Sequence, residues 1–144
     1  MNMKEQSYIK DYVRSIDGTT IGYRQLGQGP GLILVHGGMM TSQHFMQLGL
    51  KLSDEFTVYI PDCRGRGLSE VHGEHYNLTK ESEDMQAIAN KTGAQYIFGF
   101  SSGAIIALQT ALATANIRKV ALYEPPIVVK KTGQLFCVIG GPRI

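Results

Sequence analysis

Four short apolar runs, "GLILVHGG" (31–38), "FTVYIPD" (56–62), "QYIFGF" (95–100) and "IRKVALYEPP" (117–126), punctuate the chain at helix-length intervals. A strand with one wet face alternates polar and apolar residues, whereas near-continuous runs like these fit strands covered on both faces of a mostly parallel sheet. The intervening segments have helical character. Phe45, Leu48 and Leu52 stand at helical spacing behind a cap at Thr41 or Ser42. A second helix begins near Thr79, carries Glu81, Glu83 and Asp84 in its early turns, where a helix N-terminus favours negative charge, and ends at Gly93. The third, "SGAIIALQTALATA" (102–115), reads as a buried helix. Strands alternating with helices of this length require right-handed crossovers and predict a three-layer α/β sheet. Ahead of them, "IKDYVRSIDG" and "TTIGYRQLG" flank the turn signal Asp17-Gly18 and predict an antiparallel hairpin.

Size and charge narrow the function. The chain has 144 residues, the length of one domain, and a net charge of +2 with scattered Lys and Arg, which argues against an electrostatic footprint for nucleic acid or an anionic membrane. Its longest apolar stretch, Gly103–Ala115, is interrupted by Gln109, Thr110 and Thr114 and falls short of a membrane span. The charged N-terminus lacks the apolar core of an export signal, so a cytoplasmic location is expected. Cys63 and Cys137 read as unpaired thiols, and His36, His44, His72 and His75 have no zinc-type spacing. No metal site is expected.

Chemistry concentrates in "GFSSG", which fits G-x-S-x-G as Gly99, Ser101 and Gly103, with a predicted strand before it and a predicted helix after it. A serine on such a turn adopts strained backbone, and side chains two residues to either side must be absent for strand and helix to approach. The turn also sets the hydroxyl at a helix N-terminus, where backbone N–H groups can stabilise an oxyanion. "HGGMMTS" (36–42) opens the loop after the first apolar run. His36 reads as structural, ordering this loop through hydrogen bonds.

Taken together, "LILVHGG", "PDCRGRGLS", "GFSSGA" and "LYEPP" resemble, in order and context, the α/β-hydrolase fold family over about Val13–Pro126. The resemblance implies acyl transfer by a serine hydrolase on a small-molecule carboxylic ester or related acyl substrate, with no metal or organic cofactor. It implies Ser101 as nucleophile, Gly99 and Gly103 as the elbow glycines, and the N–H groups of Gly38 and Ser102 as the oxyanion hole. The loop of Asp62, Arg64, Gly65, Gly67 and Ser69 borders the site and receives no catalytic role.

The pattern then departs from the family. The triad order is nucleophile, acid, histidine, yet no histidine follows Ser101. Glu124, at the end of the sixth strand, is where some lipases carry the acid, but the prolines after it favour a structural part. The expectation is an α/β-hydrolase sheet truncated after the sixth strand, residues 1–126, followed by a divergent tail, 127–144, with a short strand at Leu135–Ile139. The outer edge of the sixth strand, Val120–Tyr123, is then bare, which predicts aggregation, self-association or coverage by the tail. Three readings follow: a catalytically impaired hydrolase, a non-enzymatic binding remnant of the fold, or one half of a hydrolase complemented by a second chain.

Overall fold

The computed structural model describes residues 7–70, 77–129 and 135–137. Strands β1 (Ile9–Arg14) and β2 (Thr20–Gly27) form the expected antiparallel hairpin, with Val13 opposite Ile21. The Ser15 N–H donates to the Thr19 carbonyl (2.8 Å) across a turn in which Gly18 takes φ 89°, a conformation glycine adopts without steric cost. Strands β3 (Gly31–Val35), β4 (Thr57–Pro61), β5 (Tyr96–Phe100) and β6 (Lys119–Tyr123) complete a six-stranded sheet of order β1-β2-β4-β3-β5-β6. The pairs β3–β4, β3–β5 and β5–β6 are parallel; β2 runs antiparallel to β4.

Both faces of the central strands are covered, as the continuous apolar runs require. Successive side chains of a strand point to opposite faces. Ile33, Val35, Tyr59 and Ile97 therefore pack with Met85, Ile88 and Ile106 of helices α2 (Leu78–Thr92) and α3 (Ser102–Ala113). Leu32, Leu34, Val58 and Ile60 pack on the other side with Phe45 and with Met46 and Leu50 of helix α1 (Met46–Leu52). Helix α2 starts where the Asn77 side chain accepts the Lys80 N–H (2.8 Å) and ends at Gly93, φ 75°. No helix among the described residues is long and apolar enough to cross a membrane.

The structure departs from expectation in two of its helices. The helix predicted from Thr41 or Ser42 opens instead as a 3-10 turn, Ser42–Phe45, before α1 begins. Ser42 is no free cap: its N–H donates to the Asp62 carboxylate (2.6 Å) and its hydroxyl accepts from Arg24, which draws this turn down onto the sheet. Helix α3, predicted buried, is buried all round over Gly103–Ala107 and emerges only toward its C-terminal end, where Leu112 is 77% exposed.

The expected bare edge is seen at β6, which has the apolar run of an interior strand yet is exposed along its whole length, β5 being its only strand neighbour among the described residues. Coverage of that edge by the tail does not occur there. Leu135–Cys137 (β8) pairs instead with Ile127–Val129 (β7), in a separate two-stranded ladder with Ile127 opposite Cys137. The remainder of the predicted tail strand, 138–139, lies outside the described residues, as do His72 and His75.

Candidate active site at the strand-to-helix turn

Ser101 sits between the last residue of β5 and the first of α3 with φ 55° and ψ −122°. Such backbone is rare for a residue with a side chain and is held only where surrounding contacts over-determine it. Those contacts are present. The Ser101 N–H donates to the Tyr123 carbonyl at the end of β6 (2.9 Å), and the Ser101 carbonyl accepts from the Ala104 N–H (2.9 Å). The flanking glycines leave no room for substitution. A Cβ on Gly99 would press on the Gly103 carbonyl and lie 2.6 Å from Ala104 Cα; one on Gly103 would press on the Val35 and His36 carbonyl oxygens. Strand β5, helix α3 and the end of β3 thus meet backbone to backbone around Ser101.

The loop after β3 runs beside this turn. A Cβ on Gly37 would lie 3.2 Å from Ser101 Cβ, and one on Gly38 would lie 3.7 Å from Ser102 Oγ. The structure therefore brings Gly38, Ser101 and Ser102 together. Among the described residues, neither the Gly38 nor the Ser102 N–H has an acceptor. Ser102 is the first residue of α3, where N–H groups have no intrahelical partner and the helix dipole favours negative charge. Donors of this kind can bind a developing oxyanion. Beyond Gly38, Met39 has φ 58° and is 98% exposed, a strained residue that the sequence pattern does not reveal.

His36 is buried, and its partners assign its tautomer. Its Nδ1 lies 2.8 Å from the Gly37 carbonyl, which can only accept, and its Nε2 lies 3.0 Å from the Cys63 N–H, which can only donate. The ring is a neutral imidazole with both nitrogens engaged, tying the loop after β3 to the loop after β4. Burial is the main cause holding its pKa below the usual histidine range, with the nearby charge of Arg66 acting the same way and Asp62 opposing. Since the unfolded chain binds this proton more readily, stability rises with pH through about 6.5 and falls as pH drops below it. Half-buried Glu81, whose carboxyl desolvation raises above its usual value, contributes in the opposite sense, losing stability as pH rises through its folded value. Comparing urea midpoints of the wild type and His36→Gln between pH 7 and pH 5 cancels the Glu81 contribution. The wild type is expected to lose stability more steeply over that range, and parallel profiles would refute the assignment.

The loop of Asp62–Ser69 is built as scaffold. Asp62, fully buried, accepts from the Ser42 and Leu68 N–H groups (2.6 and 2.9 Å) and pairs with Arg24 (3.4 Å). Arg64 forms a two-pronged pair with Asp84 (2.8 and 2.6 Å) and reaches Asp17 (2.8 Å), which it holds well below the usual carboxylate range. Ser69 Oγ donates to the Asp62 carbonyl and accepts from Gly22 N–H (2.6 and 2.9 Å). Burial pushes the Cys63 thiol far up, so it stays protonated at neutral pH. Glu124 is exposed with φ 51°, and no hydrogen bond joins it to Ser101 or to a histidine among the described residues. Among those residues, no three His, Cys, Asp or Glu side chains converge as metal ligands would.

A sequence model of the alpha/beta hydrolase family matches residues 32–142. The chain belongs to that family. It is 31% identical over 128 residues to an uncharacterized hydrolase, YraK, of Bacillus subtilis strain 168, covering 85% of this chain and 46% of that protein. It is also 31% identical over 96 residues to the pimeloyl-[acyl-carrier protein] methyl ester esterase of Stenotrophomonas maltophilia R551-3, covering 67% and 36%. Among solved structures, an alpha/beta hydrolase from Sphaerobacter thermophilus DSM 20745 superposes with a TM-score of 0.78 at 37% identity, over 85% of this chain and 48% of that one. This hydrolase-family chain spans about half the length, or less, of the relatives it matches.

Proposed function

We propose that this chain is the nucleophile-bearing part of a serine hydrolase for a carboxylic ester or related acyl substrate. Ser101 is its nucleophile, and the N–H groups of Gly38 and Ser102 form its oxyanion hole. The observation that carries this reading is the strained turn at Ser101, maintained by two glycines whose replacement would drive a Cβ into neighbouring backbone. Its similarity to a methyl ester esterase supports the acyl class.

In this reading the base is supplied by a second polypeptide, with an upstream histidine as the alternative. No histidine follows Ser101; among the described residues His36 has both ring nitrogens occupied and His44 Nδ1 accepts the Thr41 N–H (3.1 Å), while His72 and His75 lie outside those residues. Polypeptide supplying it docks on the β6 edge that has no strand partner among the described residues, where Val120, Leu122 and Tyr123 are exposed beside the Ser101 turn. An unpaired apolar strand edge is a template for further pairing.

Without the base, an oxyanion hole and a serine retain only a residual part of the rate advantage. The chain alone is therefore expected to react slowly with a fluorophosphonate probe, with the label lost in Ser101→Ala, and to turn over p-nitrophenyl esters at close to background. Absence of labelling in a chain that circular dichroism shows to be folded would overturn the nucleophile assignment. The exposed β6 edge would then favour the reading as a binding module.

A further inference from the structure

One side chain near the turn belongs to neither the ion-pair scaffold nor the elbow. Arg66, in the loop after β4, is partly buried, and its Nη1 donates to the Gly37 carbonyl (3.1 Å). The same oxygen accepts from His36 Nδ1 (2.8 Å). Two donors therefore converge on one carbonyl, His36 from the preceding residue of the same loop and Arg66 from the loop after β4. The His36 contact is the shorter, and Arg66 brings the charged donor.

The consequence follows from peptide planarity. All peptide bonds described are trans, and in a trans peptide the C=O of one residue and the N–H of the next point in opposite directions. Anchoring the Gly37 oxygen toward Arg66 and His36 turns the Gly38 N–H the other way. Glycines at both positions leave this peptide free to rotate if it is not held. Hydrogen bonding to the carbonyl also polarises the peptide, which makes its N–H a better donor.

We propose that Arg66 is a positioning residue that fixes the Gly37–Gly38 peptide with the Gly38 N–H facing the Ser101 turn. The part this plays in catalysis rests on the reading of Ser101 as nucleophile. Arg66 touches no reacting atom; it acts through the Gly37 carbonyl.

The test uses the full chain, labelled with 13C and 15N, as wild type, Arg66→Ala and Arg66→Lys. In Arg66→Ala the Gly37 carbonyl 13C and Gly38 amide resonances are expected to move while Gly93, remote at the end of α2, stays in place and shows the fold intact. Fluorophosphonate labelling of Ser101 is expected to slow by about 10- to 100-fold, with Arg66→Lys restoring part of both signals. Unmoved Gly37 and Gly38 resonances in Arg66→Ala would overturn the proposal, as would moved resonances with labelling at the wild-type rate. If the resonances move but wild type carries no Ser101 label, the nucleophile assignment fails while the positioning of the peptide stands.

Discussion

Asp62→Ala is expected to cost about 3–5 kcal/mol, the usual consequence of leaving one member of a buried ion pair without its partner. Three groups lose their acceptor at once: the Ser42 N–H, the Leu68 N–H and the Arg24 guanidinium. Arg24 and Asp62 are both buried, so water cannot substitute for the missing carboxylate. Against a typical domain stability of about 5–15 kcal/mol, this is a large fraction. Urea denaturation followed by circular dichroism measures it through the shift in midpoint at unchanged slope. A loss below about 1 kcal/mol would show that the Asp62 cage contributes little, and that the loop after β4 is held by Arg64 and Ser69 instead.

Gly103→Ala is expected to be comparably damaging, about 3 kcal/mol or more, although it adds only a methyl group. Overpacking usually costs about 1–3 kcal/mol when side chains can yield. Here the added carbon meets the Val35 and His36 carbonyl oxygens, which are backbone at the end of β3. Relief requires α3 to move away from the sheet, and that motion would also carry Ser102 away from Gly38. The same urea titration gives the stability loss, and the fluorophosphonate reaction gives its effect at Ser101. Wild-type behaviour in both would mean that the close approach of α3 to β3 is not required.

Much of the architecture was legible in the residues. The apolar runs at 31–38, 56–62 and 95–100 became interior strands because a strand covered on both faces needs apolar side chains in both directions. The run at 117–126 shows the limit of that argument. Its composition suits burial, yet Val120, Leu122 and Tyr123 are exposed; the bare edge was legible from the sequence pattern ending after the sixth strand and not from the strand's own residues. The placement of Ser101 was legible for a local reason: the strain and the glycines that permit it fall within five consecutive residues.

The interactions that hold the site together were not legible, because they join residues distant along the chain. Thr41 or Ser42 read as the cap and Thr41 takes that place, but the parallel pairing of β3 with β4 sets Ser42 against Asp62, and it became a member of an ion-pair cage with Arg24. Arg66 read as an unremarked position within a glycine-rich loop, and its bond to the Gly37 carbonyl spans 29 residues. Local pattern sufficed for which segments are strands and helices and for where a turn must be tight, since propensity, periodicity and backbone sterics act over a few residues. The tautomer of His36, the orientation of the Gly37–Gly38 peptide and the pairing of each buried charge depended on the packed fold, since each is set by whichever group the sheet order brings within hydrogen-bond reach.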